Sequence, residues 1–305
     1  MKKQKNYFEE WQMKVLDAKQ EKVLGISIHL DQIGETNEGM LQVSYDTGID
    51  CNRISFKCDE LSSHEEAIIA GKNHIGAEEV LLDINEKKLS IKGKLMINRV
   101  INLNQSFLKP GLMGYYKHIP FLEFYQEVLT LQGKVAGEFC IDGETVDFTD
   151  GHYFLQKQWG SKFPNVWLWA QCSGFEKKKD LAIMVGVARL KVLFNYYTAF
   201  AIPIYYNDQV EIFSNYNGGH ISKLYRYKGY IHCTIIQKDK LLDLKIYGRD
   251  EVERTSSKES HGIRDIYECN RVKMEVKISQ NGNVLLEDSS LECSIEMGGN
   301  TSKLK

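Results

Sequence analysis

The chain has 305 residues with 39 basic and 41 acidic side chains, a net charge of −2, so no overall field selects nucleic acid or an anionic membrane. Seven dispersed cysteines without a Cys-x-x-Cys pair point to reduced thiols rather than a disulfide framework. Four prolines against 24 glycines, with Tyr, Phe, Val and Ile in short alternating runs, predict an all-β protein, and the length suffices for two domains with cores of their own. The charged N-terminus, MKKQKNYFEEW, has no apolar stretch behind it, and no apolar run approaches the ~20 residues of a membrane span. These features predict a cytoplasmic protein without a signal peptide or transmembrane segment; peripheral membrane contact stays open. Glycine-rich phosphate loops and Gly-x-Ser-x-Gly elbows are absent from the sequence, so no cofactor is expected. His232 and Cys233 are the closest His/Cys pair, but neighbours on a strand point to opposite faces, so no metal site is expected either.

In chain order, the first strands are predicted at Tyr7–Val15, Val23–Leu30, Met40–Tyr45 and Arg53–Cys58. Ser62–Ala70 is ambiguous: Ser62-Ser63 followed by Glu65 and Glu66 could open a helix, but the segment reads mostly as strand. Val80–Ile84 and Leu89–Met96 should form a hairpin around Asn85-Glu86-Lys87-Lys88. A further strand is read from Pro120, and Asp142-Gly143 is a two-residue turn between Glu138–Ile141 and Thr145–Phe148. Leu181–Leu190 and Tyr196–Tyr206 follow, with Pro203 favouring an edge or a bulge. Strands near Val210–Asn215, Lys223–Tyr227, Tyr230–Gln237 and Leu241–Tyr247 make a second meander. Arg249–Ser260 reads as a polar loop, and Asn281-Gly282 turns between Lys273–Ser279 and Val284–Glu287. The domain boundary is placed near Ser161, giving domains 1–160 and 161–305.

Gly151–Phe175 holds three of the four tryptophans. Its first strand puts His152, Phe154, Gln156 and Gln158 on one face and Tyr153, Leu155, Lys157 and Trp159 on the other. After Gly160, Ser161 and Pro164, a second strand aligns Trp167, Trp169, Gln171 and Ser173. Two indoles with an amide two residues on make an apolar wall with one oriented polar group, as in many small-molecule sites, although a Trp pair on a strand more often packs a core.

The run Gln156-Lys157-Gln158-Trp159-Gly160, then Phe163-Pro164, then Trp167, Trp169, Gln171 and Phe175, resembles the tocopherol cyclase family. That family carries Glu-Lys-Asp/Asn-Trp-Gly, a Phe-Pro two residues later and a Trp/Tyr-x-Trp-x-Gln strand. Tyr7-Phe8-Glu9-Glu10-Trp11 is similar to the opening Tyr-Phe-Glu-Gly-Trp of bacterial relatives, with Glu10 in place of the glycine. Further similarities lie at Lys109–Tyr116, Pro120–Gln126, Gly262–Glu268 and Glu296–Gly299. The resemblance implies two tandem lipocalin-like antiparallel β-barrels. In plant members it implies chroman-ring closure on a prenylated quinol; more distant relatives of the architecture hydrate carotenoids or guide cycloadditions.

Such a closure adds a proton to an alkene, passes through tertiary-cation character and ends in capture by a phenol oxygen. It asks for an acid, a dry cavity and π-faces that stabilise positive charge. Where relatives carry Glu, Asp/Asn and His, this chain has Gln156, Gln158 and Gln126, and an amide cannot donate a titrating proton. Glu123 and Asp265, with Glu268, are the acids left at matching positions; Glu123 and Asp265 are the catalytic candidates. Each also has a structural reading, as a surface charge or an ion-pair partner of Arg264 or Lys157. Ligand contacts are expected from Trp159, Trp167, Trp169, Gln171, Gln156, Gln158, Gln126 and Tyr153. The expected function is binding of a lipophilic prenylated or isoprenoid molecule, with ring closure of the intramolecular lyase or isomerase type. A non-catalytic binder and an isoprenoid hydratase are the alternatives.

Overall fold

The computed structural model describes residues 6–33, 36–47, 51–58, 60–103, 111–120, 122–192, 195–227, 229–248, 254–255 and 266–304. Among these there is no α-helix; the chain forms two antiparallel sheets, one in each of two compact units. The first unit comprises residues 1–104 and 124–162, the second 105–123 and 163–305.

The first sheet opens with a meander of β1 (Asn6–Leu16), β2 (Val23–Ile33), β3 (Thr36–Asp46) and β4 (Cys51–Lys57). A second run follows: β5 (Leu61–Ser63), β6 (Ala67–Ala70), β7 (Asn73–Gly76), β8 (Glu79–Glu86), β9 (Leu89–Ile101) and β10 (Phe124–Ile141). β11 (Glu144–Asp147) folds back on β10, and β12 (His152–Gly160) then inserts between β1 and β10, joining the two runs. Ser62–Ala70 is mostly strand, as read, with a turn at 64–66 between β5 and β6, and Ile68 and Ala70 alternate into the core. The β8–β9 turn is tighter than expected, with only Lys87-Lys88 between the strands. β10 starts four residues after Pro120, whose ring nitrogen has no hydrogen to give a ladder. Register shifts between Val128 and Gly133 bend β10, so its first part pairs with β12 and its last part with β9 and β11.

The second sheet contains β13 (Trp167–Cys172), β14 (Ala182–Val192), β15 (Asn195–Tyr206), β16 (Gln209–Ser214), β17 (Gly219–Tyr227), β18 (Tyr230–Gln237) and β19 (Lys240–Tyr247). β20 (Arg254–Thr255), β21 (Ile266–Gln280) and β22 (Asn283–Gly298) complete it, and β22 pairs back onto β13. Pro203 is not at an edge: β15 pairs on both sides, and the β14–β15 ladder lapses opposite Pro203, where no N–H is available. Asp142-Gly143 and Asn281-Gly282 both have positive φ at the two central positions, the backbone of a type I′ hairpin turn. Most of the Arg249–Ser260 loop lies outside the described residues.

Side chains alternate strictly between one face that fills a core and one that does not. In the first unit Trp11, Met13, Val15, Ile26, Val43, Tyr153 and Leu155 share the core. In the second, Leu168, Ala170, Cys172, Val185, Ile202, Cys293 and Ile295 do so, with Leu304 of a short 3₁₀ turn (Thr301–Leu304) fully buried among them. Each Val, Leu, Ile or Met among them contributes roughly 1.5–3 kcal/mol by leaving water, and Ala and Cys less. Six described cysteines are free thiols, and burial pushes the Cys233 thiol up to about 12.

The closure of the second sheet depends on a glycine. A Cβ on Gly298 would lie 2.0 Å from the Trp167 ring, so the indole rests directly on the β22 backbone. Gly298→Ala is therefore expected to destabilise the protein by about 1–3 kcal/mol through overpacking. Chemical denaturation of the two proteins checks this; an unchanged midpoint would show that the indole can leave its seat freely.

Candidate functional site

On the first sheet the three amides read from sequence come together, on the face opposite the core. Pairing of β12 with β1 and β10 sets Gln158 opposite both Glu10 and Gln126, and Gln156 opposite Gln12. Gln126 Nε2 donates to Gln156 Oε1 at 3.0 Å, and Gln156 Nε2 donates in turn to Gln12 Oε1. Gln12 Nε2 donates to Glu10 Oε1 at 2.9 Å, and Gln158 Nε2 to Glu10 Oε2 at 2.6 Å. His29 Nε2 lies 3.3 Å from Glu10 Oε1. All these hydrogen bonds run toward one carboxylate, on a residue only 2% exposed. A buried carboxylate is tolerable only when its oxygens are met by donors, and here two amides and an imidazole meet them.

Sequence reading did not single out Glu10. Its only signal was that it replaced the glycine of the opening motif; that it faces Gln158 follows from strand register, which periodicity does not give.

The other face of β12 points into the first core. Tyr153 is a fully buried strut whose hydroxyl donates to Gly76 O at 2.7 Å. Lys157 Nζ stands 5.4 Å from the Trp11 ring and 5.5 Å from the Trp159 ring, donates to Glu65 O at 2.6 Å and lies 3.8 Å from Glu127 Oε2. Trp159 in turn stacks on Tyr125, with centroids 5.6 Å apart and planes 13° apart. Trp11 Nε1 and Tyr7 Oη both donate to Glu9, at 2.6 and 2.8 Å. Trp159 is thus part of a cation–aromatic group inside the first unit.

In the second unit Trp167, Trp169 and Gln171 share the face of β13 opposite the core, as the alternation predicts. Trp167 is buried; its indole N–H donates to Glu296 Oε1 at 3.1 Å, and Phe163 meets its ring edge-on at 4.8 Å. Two stretches far apart in sequence (Phe163 with Trp167, and Glu296 with Gly298) therefore meet in one contact. Trp169 is half-buried, with Gly186 and Glu296 as its cross-strand neighbours. Gln171 is buried, and its Nε2 donates to Ser173 Oγ at 3.3 Å.

The segment around Met113-Gly114 packs in this second unit. Gly114, at φ +54°, sits under the Tyr216 ring, and Tyr216 Oη donates to Leu112 O at 2.8 Å. Tyr116 and Tyr197 lie 5.8 Å apart beside it; burial raises both phenols, that of Tyr197 to about 12, so they stay protonated. Glu123 is half-buried just before β10 and takes no part in the amide group. Asp265 and Arg264 lie outside the described residues. His232 points away from the core that holds Cys233, bridging Tyr225 Oη at 2.7 Å and Asp243 Oδ2 at 2.9 Å. Among the described residues no group of three His, Cys, Asp or Glu side chains is arranged to hold a metal ion, and no helix is long and apolar enough to cross a membrane.

Residues 94–240 match the family described as tocopherol cyclase-like. A chloroplastic tocopherol cyclase of Zea mays is 27% identical over 108 residues, which are 34% of this chain and 23% of the maize protein. The match thus spans less than a quarter of that relative's length. Kievitone hydratase from Nectria haematococca shares the fold with a TM-score of 0.55 at 12% identity, over 97% of this chain and 90% of that one. CghA with Sch210972 does so with a TM-score of 0.57 at 9% identity, over 96% of this chain and 88% of that one. These structures establish the all-β, lipocalin-like tandem architecture. The central Trp-Gly, Phe-Pro and Trp-x-Trp-x-Gln run lies within the matched stretch, and from residue 94 to residue 240 the chain is tocopherol cyclase-like.

Proposed function

We propose that this protein binds a lipophilic prenylated or isoprenoid compound and adds a proton to its alkene, closing a ring when a phenol oxygen captures the cation. The observation that carries the reading is Glu10, a buried carboxylate held by Gln158, Gln12 and His29 on the face where the motif's own acids have become amides. The kinship with tocopherol cyclases and the shared fold with a hydratase support a substrate of this kind.

The chemistry balances without a cofactor. The step needs Glu10 in its acid form, reached when the neighbouring His29 imidazolium passes it a proton across 3.3 Å; the carboxyl gives that proton to an alkene carbon, and the tertiary cation is trapped by the phenol oxygen as the C–O bond forms. The phenolic proton then returns to the carboxylate, with His29 beside it to share the charge, and the product is an isomer of the substrate. The amides at Gln126, Gln156 and Gln158 favour a second reading, a binder without turnover, since they stand where the resemblance places His, Glu and Asp/Asn.

Two outcomes separate these readings. Chroman formation from a prenylated quinol, followed by chromatography, is expected for wild type and should fall at least ~100-fold in Glu10→Gln, the range for loss of a general acid. The exchange Glu10→Gln with Gln158→Glu should recover part of it, because the two residues are direct cross-strand neighbours. A wild type that binds such quinols without converting them leaves the binder.

Gln158→Asp with Glu10 retained should instead crowd two carboxyls into one buried site. They would share a proton, and one pKa would rise in the folded state. The unfolded chain then ionises first as pH rises, so stability is lost progressively above about pH 4. The loss is roughly 1.4 kcal/mol for each pH unit that separates ionisation of the unfolded chain from that of the folded one. Melting temperatures of variant and wild type between about pH 4.5 and 7.5 should diverge as pH increases; parallel curves would show that the two carboxyls do not meet.

A further inference from the structure

We infer that the non-core wall of the second sheet seats a hydroxyl group of the ligand between Gln171 and Ser294, and so selects lipophiles that carry a phenol or alcohol. This deepens the functional reading above and rests on it.

Gln171 on β13 and Ser294 on β22 are direct cross-strand partners on the face turned away from the core. They are 1% and 5% exposed, yet Gln171 Oε1 and Ser294 Oγ have no hydrogen-bond partner among the described residues. Two such atoms side by side are unusual, because buried polar groups are nearly always paired. The amide nitrogen of Gln171 is committed to Ser173 Oγ at 3.3 Å, so its Oε1 is left as a pure acceptor. Ser294 Oγ can give or take a proton. A hydroxyl meets both needs, donating to the first and giving or taking a proton at the second. A carboxylate or a ketone has no proton to give Gln171.

The rest of the face suits what such a hydroxyl would be attached to. Half-buried Trp169 precedes Gln171 by two residues. Beyond it the cross-strand positions are Gly186 and Ala188 on β14 and Ala201 and Ala199 on β15. All four are half-buried and project little or nothing from the sheet, so a planar or branched apolar skeleton can lie flat beside the indole.

The test compares a geranyl-substituted hydroquinone with its dimethyl ether, which keeps the skeleton and loses both donors. Binding to the full chain is read by tryptophan fluorescence and confirmed by calorimetry. Wild type is expected to prefer the quinol about tenfold or more, since a site built around a hydrogen bond rejects the analogue lacking it. In Gln171→Met that preference should collapse toward unity, with affinity for the quinol falling more than affinity for the ether, and Ser294→Ala should show a partial loss. Equal binding of both compounds by wild type overturns the hydroxyl seat alone and leaves the lipophile reading standing. Preference retained in both variants overturns it as well, the seat then holding water only. If neither compound binds, the lipophile reading falls and the seat falls with it. Binding is read at times short against conversion and again in Glu10→Gln, where the quinol is not turned over, so an inactive Glu10→Gln variant bears on the acid and not on this seat.

Discussion

The two-residue period of the strands governs where chemistry can be in this protein. A curled antiparallel sheet spends one face of every strand on its core, so each functional side chain must either share that core or stand on the other face. Trp159, Lys157 and Trp11 take the first course: the ammonium is kept near the core by two ring faces, a backbone carbonyl and the Glu127 carboxylate. Gln126, Gln156, Gln158 and Glu10 take the second, and so do Trp167, Trp169 and Gln171 in the other unit. The non-core faces are nonetheless buried at Glu10, Gln156, Gln158, Trp167 and Gln171, and water cannot satisfy what those residues carry. Their polar groups must find one another or find a ligand.

The two units resolve that demand differently. In the first, donors and acceptors nearly close on themselves, with amide N–H groups in series ending on one carboxylate. In the second, the carboxylate of Glu296 is occupied by the Trp167 indole, whose position is set in turn by Gly298 and Phe163. That explains why a glycine near the end of the chain and a Phe-Pro near its middle belong to one motif: they are the floor and side of a single indole seat.

The all-β class, the hairpin turns at Asp142-Gly143 and Asn281-Gly282, and the shared face of Trp167, Trp169 and Gln171 were legible in the sequence, since each follows from alternation or local turn chemistry. The specific run from Gln156 to Phe175 also carried the kinship. Strand ends were less legible. Pro120 opens no strand, and Pro203 sits inside a ladder that simply omits the bond it cannot make. What local pattern could not supply was register between distant strands. Glu10 faces Gln158 across 148 positions, and Gln171 faces Ser294 across 123, so neither pairing has a local signature. The carboxylate that the fold places beside the amides was therefore not among the acids singled out at matching motif positions.

Each sheet joins its early strands to its late ones: β1 pairs with β12, and β13 pairs with β22. Contacts of such long sequence separation form slowly, because loop-closure entropy must be overcome before they stabilise anything. On the ribosome, β1 must wait for β12, holding an open apolar face with Glu10 still in water. The carboxylate is desolvated only when β12 docks and brings Gln158 to meet it. In the folded chain the strand that covers this carboxylate is the one that carries its Gln158 donor, so pairing of β12 does not bury the acid without also matching it.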